Sequence, residues 1–225
     1  MTEQQAPPGD RQVQASAAPG ELEAVRAFVN TLDIEQGTDD FATGAGFGRW
    51  LSGQGLLATP GAVSAADLAS AVALREALRG VLREHAGHPG YPGLAAGPAG
   101  QAGPAGVRAV GAGPADELRA VAADLPVSLG VDDDGTIAAV PAGTGARGAL
   151  ARLLLIAATA AANGTWARLK ACTADDCQWA FYDRSPTRNG RWCTMSICGS
   201  RAKSRAYRRR AQEPRVEGVG QQWWR

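Results

Sequence analysis

The chain has 225 residues, 45% of them hydrophobic, enough for one sizeable core together with a small appended module. Its formal net charge of +1 averages two unlike parts: Arg184 to Arg210 holds nine basic residues and no acidic one, and the remainder sets 14 basic against all 22 acidic residues, a balance near −8. The start of the chain has no apolar run behind a basic segment, so a signal peptide is not expected. The longest apolar stretch, Ala149 to Ala162, contains Arg152 and falls several residues short of the ~20 that a spanning helix needs, so no membrane is expected and the compartment is read as cytoplasmic.

Residues 1–19 are polar and proline-bearing and read as a disordered leader. From Glu21 to Gln36, Leu22, Val25, Phe28, Val29, Leu32 and Ile34 lie close to a helical stripe, which predicts one helix stopped by Gly37. Trp50, Leu51, Leu56 and Leu57 predict a short apolar helix followed by a loop at Thr59-Pro60. Ser64 with Asp67 three residues on has the form of a capping box, and Leu68, Val72, Leu74, Leu78, Val81 and Leu82 continue the helix it opens. Residues 87–113 are dominated by Gly, Ala and Pro and read as a mobile surface loop.

Pro114 suits a first helical turn, and Leu118, Val121 and Leu125 mark a short helix. Val127, Leu129 and Val131 then alternate, Asp134-Gly135 makes a tight reversal, and Ile137 and Val140 continue on the far side, which predicts a β-hairpin. Asp132, Asp133 and Asp134 are explained as residues of that turn. A third long helix runs from about Ala146 to Ala162 and ends at Asn163-Gly164. No internal repeat is found. The expected fold class is α+β: a mainly helical N-terminal domain over 20–165 with one β-hairpin, a small zinc-ribbon-like module over 166–212 ending in a basic helix, and a tail over 213–225.

All four cysteines fall in that module, as Cys172-x4-Cys177 and, fifteen residues later, Cys193-x4-Cys198. Zinc takes four thiolates at tetrahedral corners, and two short-spaced pairs supply two corners each. In a reducing compartment such pairs are metal ligands more naturally than disulfides, and four thiolates leave no open position, so the expected ion is a single structural Zn2+. Short strands are expected on either side of the first pair, from Trp166 to Ala171 and from Gln178 to Tyr182. Trp179, Phe181 and Trp192 read as a mini-core shielding the metal, with base stacking as the alternative.

Beyond Cys198 the run to Arg210 is helix-forming, and Arg201, Arg205, Arg208 and Arg209 fall on one helical face as a cationic ridge. Guanidinium groups suit phosphates and guanine edges; the bland alternative is a solvated basic tail. Trp223 and Trp224 cover either the body or a partner. His85 and His88, at a helix end, are expected to interact with the helix dipole. No Ser/His/Asp or paired-carboxylate set stands out, so an enzyme is not expected.

The residues Cys172-x4-Cys177-x-Trp179-x-Phe181-x-Asp183-x-Ser185 and Arg191-Trp192-Cys193-x-Met195-x2-Cys198-Gly199-Ser200-Arg201-x-Lys203 resemble the CGNR zinc-finger family of bacteria. Upstream, Phe28-Val29-Asn30-Thr31-Leu32, Arg49-Trp50-Leu51 and Leu74-Arg75-Glu76-Ala77-Leu78-Arg79 are similar to the ABATE domain that precedes this finger. The resemblance implies a transcription regulator described as stress-induced. It carries the four cysteines over as zinc ligands and makes Arg201 and Lys203 candidates for nucleic-acid contact. Ser200 stands where the family has Asn; its hydroxyl could cap the following helix but lacks the second hydrogen-bonding arm of an amide. An insertion-like Pro186-Thr187-Arg188 lengthens the central loop.

The expected function is a zinc-dependent DNA-binding regulator. Arg201, Lys203, Arg205, Arg208 and Arg209 are its candidate nucleic-acid contacts, and the helical body senses a small-molecule effector, forms a homodimer, or both. The alternative is a zinc-stabilised module for RNA or a protein partner. A ligand pocket in the body would involve Asn30, Thr31 and Trp50.

Overall fold

A computed structural model describes residues 17–57, 63–87 and 113–212. The expectations for the first sixteen residues, Thr59-Pro60, His88, the glycine-rich stretch 88–112 and the tail with Trp223 and Trp224 lie outside the described residues.

Helix α1 (Leu22–Val29) buries Leu22, Val25, Phe28 and Val29, the first part of the expected stripe. The helix does not continue to Gln36. It stops at Asn30, and the chain forms a two-residue antiparallel pair, β1 (Leu32–Asp33) with β2 (Thr38–Asp39). The carbonyls that a longer helix would use are taken by side chains. Arg79 donates to Val29 O at 2.6 Å, and the Thr31 hydroxyl donates to Phe28 O at 2.8 Å. Gly37, at φ +67°, turns this small hairpin rather than stopping a helix.

Helix α2 (Gly44–Gly53) is capped by Thr43, whose hydroxyl accepts the Gly46 N–H at 3.1 Å. Helix α3 (Ala65–His85) opens with the expected capping box: Ser64 Oγ accepts from Asp67 N, and Asp67 Oδ2 from Ser64 N, each at 3.1 Å. Helix α4 (Pro114–Ala123) begins on its proline. It comes so close to α3 that a Cβ on Gly80 would lie 2.9 Å from Pro114 Cβ. The expected hairpin is β3 (Val127–Val131) with β4 (Ile137–Pro141), in register from Val127↔Pro141 to Val131↔Ile137. Gly135 sits in its turn at φ +83°. Leu129, Val131 and Ile137 remain exposed on it.

Helix α5 (Gly145–Ala162) runs through the core. It is long and apolar enough to cross a membrane, yet half of it is buried inside the protein, as a core helix would be. A 3-10 turn over Trp166–Arg168 then leads into β5 (Leu169–Ala171), antiparallel to β6 (Ala180–Tyr182). Met195–Gly199 forms a π-helical turn, and helix α6 (Ser200–Gln212) follows it directly.

One apolar core joins these parts. Phe28, Phe47, Leu51, Leu74, Leu78, Leu82, Leu150 and Leu153 are fully buried, and Phe28, Phe41, Phe47 and Trp50 stack with centroids 4.8–5.7 Å apart. The same cluster continues into Leu169, Ala171, Ala180 and Tyr182 of β5 and β6. The inner face of the cysteine-bearing segment is thus part of the helical body's core.

Candidate metal centre and basic face

A second, smaller cluster lies beyond that sheet and contains all four cysteines with Trp179 and Phe181, flanked by Trp192 and Ile197. Trp179, Phe181 and Trp192 therefore lie where a shielding mini-core would. The first cysteine pair is held by the chain's own turns: Cys172 N donates to Trp179 O, and Cys177 N to Ala174 O. Gln178 leaves this knuckle at φ +52°, and its side-chain amide donates to Asp175 O at 3.1 Å across the turn. Cys198 is delivered by the π-helical turn. The Met195 side chain packs against Gly199 there, in the space a Cβ would take.

The four thiols are free and buried, and their sulfurs all lie within 4.8 Å of one another. Cys177 Sγ is 3.6 Å from Cys193 Sγ, and Cys193 Sγ is 3.7 Å from Cys198 Sγ. Disulfide sulfurs would sit about 2.05 Å apart. Thiolates at 2.3 Å from a central zinc define tetrahedral edges of about 3.8 Å, so the spacing fits one such ion. The protonation pattern agrees. Hydrogen bonds from the other thiols draw Cys172 down, and Cys198 is lowered as well, while Cys172 and burial push Cys177 and Cys193 up, so the thiols alone resist full ionisation. A divalent cation would remove that resistance.

Helix α6 carries the expected basic residues, but the structure divides them. Arg201 turns inward and donates to Glu35 Oε1 at 3.1 Å, tying α6 to the turn between β1 and β2. Arg205 lies 3.7 Å from Asp176 of the first cysteine knuckle. Lys203, Arg208, Arg209 and Arg210 are exposed, as is Tyr207. The Ser200 hydroxyl does not cap the helix; it donates back to Met195 O at 3.2 Å. Helical backbone already precedes it in the π-turn, so α6 begins without the orphan N–H groups that a cap would satisfy.

None of Asn30, Thr31 and Trp50 lines the cavity described for this protein. Asn30 grips Ala180 of β6 on both sides, its Nδ2 donating to Ala180 O at 3.0 Å and its Oδ1 accepting Ala180 N–H at 2.7 Å. Thr31 accepts from Arg75 at 3.2 Å, and Trp50 packs on Phe28 and Phe41. The described cavity, about 250 Å³, lies elsewhere, between Glu21, Leu56, Arg152 and Ile156.

The sequence reading missed a row of buried arginines. Arg75, Arg79 and Arg83 on α3 are 2%, 1% and 0% exposed, next to the leucine row Leu74, Leu78, Leu82. Leu-Arg recurring three times at four-residue spacing was its visible signal. Arg75 makes a bidentate pair with Asp39 at 2.6 and 2.9 Å. Arg83 reaches Asp175 in the first cysteine knuckle at 2.7 Å. His85, in the last turn of α3, contacts Leu169 O at 2.9 Å through Nδ1 and stands edge-on to Trp166. Burial lowers its pKa.

Two family models match. Residues 168–211 match the CGNR zinc finger, and residues 22–165 match ABATE, described as "Putative stress-induced transcription regulator". No curated protein matches the chain. With the ABATE model spanning more than half the sequence and the finger's four cysteines gathered at metal-binding distance, the chain belongs to the ABATE family and ends that architecture with a CGNR zinc finger.

Proposed function

We propose that this protein is a DNA-binding regulator, not an enzyme, in which one structural zinc ion bound by Cys172, Cys177, Cys193 and Cys198 holds helix α6 ready for duplex DNA. The observation that carries the reading is the junction at Cys198. A buried tetrathiol cluster of zinc dimensions is joined by a single helical turn to a helix that has no acidic residue and exposes Lys203, Arg208, Arg209 and Arg210. Like charges so concentrated repel one another unless a polyanion neutralises them. A helix set on a metal centre and clamped through Arg201 and Glu35 presents its cations from a fixed base, which lowers the ordering cost of binding.

The first role of Arg201 in this scheme is to orient α6, with Lys203, Arg208 and Arg209 as the outward phosphate contacts and Arg205 shared between Asp176 and the ligand. Salt-titrated binding of the zinc-loaded protein to duplex DNA, single-stranded DNA and structured RNA tests the proposal. The expected result is duplex preference with affinity falling steeply as salt rises. Preference for single strands would shift the reading towards stacking on exposed Tyr207, and absence of all nucleic-acid binding would favour a protein partner.

A further inference from the structure

The loop between β6 and the second cysteine pair is unusually well fixed for irregular, solvent-facing chain. Lys170 Nζ donates to Asp183 Oδ2 at 2.8 Å, to Arg188 O at 2.6 Å and to Gly190 O at 3.3 Å, which uses all three of its protons. The Asp183 carboxylate accepts the N–H groups of Ser185 at 2.9 Å and Gly190 at 2.7 Å. Burial opposes ionisation of Asp183, yet Lys170 and these N–H groups hold its carboxyl well below the usual carboxylate range. Arg168 Nη1 holds the carbonyls of Asp183 and Ser185, and Thr173, next to Cys172, donates its N–H to Arg191 O at 3.0 Å. A Cβ on Gly190 would come within 2.8 Å of the Asp183 carboxylate, so the loop closes on its latch only with glycine there.

The Lys170 and Asp183 side chains are 3% and 4% exposed. A buried ion pair adds little net stability, because desolvation offsets most of its attraction; what it supplies is a defined geometry. The geometry here is that of the loop's outer side. Arg188 sits at φ +53°, a left-handed conformation that L residues rarely adopt, with its carbonyl held by Lys170 and its side chain exposed. The exposed Arg191 guanidinium lies 5.8 Å from the centre of the Trp192 ring. The one acid of the segment, Asp183, is turned inside. Arg191 stands two residues before Cys193 and α6 begins two residues after Cys198, and the sulfurs of these cysteines are 3.7 Å apart, so loop and helix leave the same metal-binding knuckle.

We infer that residues 183–191 form a second phosphate-contacting element for duplex DNA, in which Arg188 and Arg191 touch the backbone and the buried Lys170–Asp183 pair is a positioning device. The inference rests on the DNA-binding reading and extends it from one helix to a two-part footprint.

The test uses the full zinc-loaded chain and a mixed-sequence duplex over a salt series. Because Arg188 and Arg191 are exposed, Arg188→Ala/Arg191→Ala should fold and keep its metal. The expected result is a slope of log K against log salt that is shallower by about 1.8, with affinity at 0.1 M salt reduced on the order of 60-fold, at about 0.9 log unit per phosphate. Arg188→Lys should restore the slope at that position. Asp183→Asn, with metal content verified, should weaken binding while leaving the slope unchanged, since it loosens the arginines without removing them. Wild-type affinity and slope in the double alanine variant, while Arg208→Ala/Arg209→Ala loses binding, would overturn the loop inference alone. Absence of duplex binding in the unmodified protein would overturn the DNA reading, and the loop inference would fall with it. A slope change confined to structured RNA would also refute the assignment to duplex DNA.

Discussion

Asn30→Ala separates a structural role for this residue from a ligand-binding one. The Asn30 amide stands where a neighbouring strand residue would, donating to Ala180 O at 3.0 Å and accepting from Ala180 N at 2.7 Å. It thereby fastens the edge of β6 to the end of α1. Truncation leaves a buried backbone donor and a buried acceptor, each costing about 1–3 kcal/mol when unpaired. Arg26 Nη1 approaches the same carbonyl at 3.5 Å and recovers part of the loss, so the expected destabilisation is about 2–4 kcal/mol. Against a total stability of about 5–15 kcal/mol this is large. Urea denaturation of the zinc-loaded protein, followed by tryptophan fluorescence, should show the midpoint falling by about 1 M with little change in slope. Asn30→Asp should be at least as damaging at neutral pH, because it sets a carboxylate oxygen against Ala180 O. A change below about 0.5 kcal/mol in Asn30→Ala would refute the clamp and return Asn30 to the candidates for ligand contact.

Cys193→Ser should release bound zinc, measured as metal per chain, and abolish duplex binding in the same preparation. Asp39→Ala should cost about 1–3 kcal/mol by denaturation, because the buried Arg75 guanidinium loses its bidentate partner but keeps Glu76, Thr31 and the Phe41 ring. His85 adds a pH dependence of defined sign. Its folded pKa is depressed by burial, so the unfolded chain takes up a proton more readily, and its contribution is complete above about pH 6.5 and declines as pH falls through the folded pKa. Stability at pH 7.5 minus that at pH 5.5 should therefore be larger for the wild type than for His85→Gln; an equal difference would remove His85 from the account. Leu129→Ser, on the exposed hairpin, should change stability by less than about 0.5 kcal/mol.

Local signals carried much of this structure. The Ser64–Asp67 box, Pro114, the Asp134-Gly135 turn and the cysteine spacing each encode a short-range geometry, and each appears where the residues alone place it. What failed was non-local. The stripe from Leu22 to Ile34 is as regular as a longer helix would require, but Arg79, fifty residues away from Val29, takes the carbonyl needed to extend it. The same blindness hid the arginine row on α3, since long cations on a helix read as a solvated face until Asp39 and Asp175 are known to lie opposite them. Nor does the local sequence show that Asn30 is bonded to a backbone 150 residues on. At the candidate site, the ligands follow from spacing, whereas the split of α6 into an inward Arg201 and outward Lys203, Arg208 and Arg209 depends on where the body places Glu35 and could not be read from the run itself.

The central claim couples a metal to a nucleic-acid surface, and stripping and restoring the ion tests it most directly. Purified under reducing conditions, the protein should hold one zinc per chain and bind duplex DNA; chelation should remove both properties, and added zinc should restore both. A chain that holds no stoichiometric metal, or one that binds duplex equally well after the metal is removed, would contradict the account.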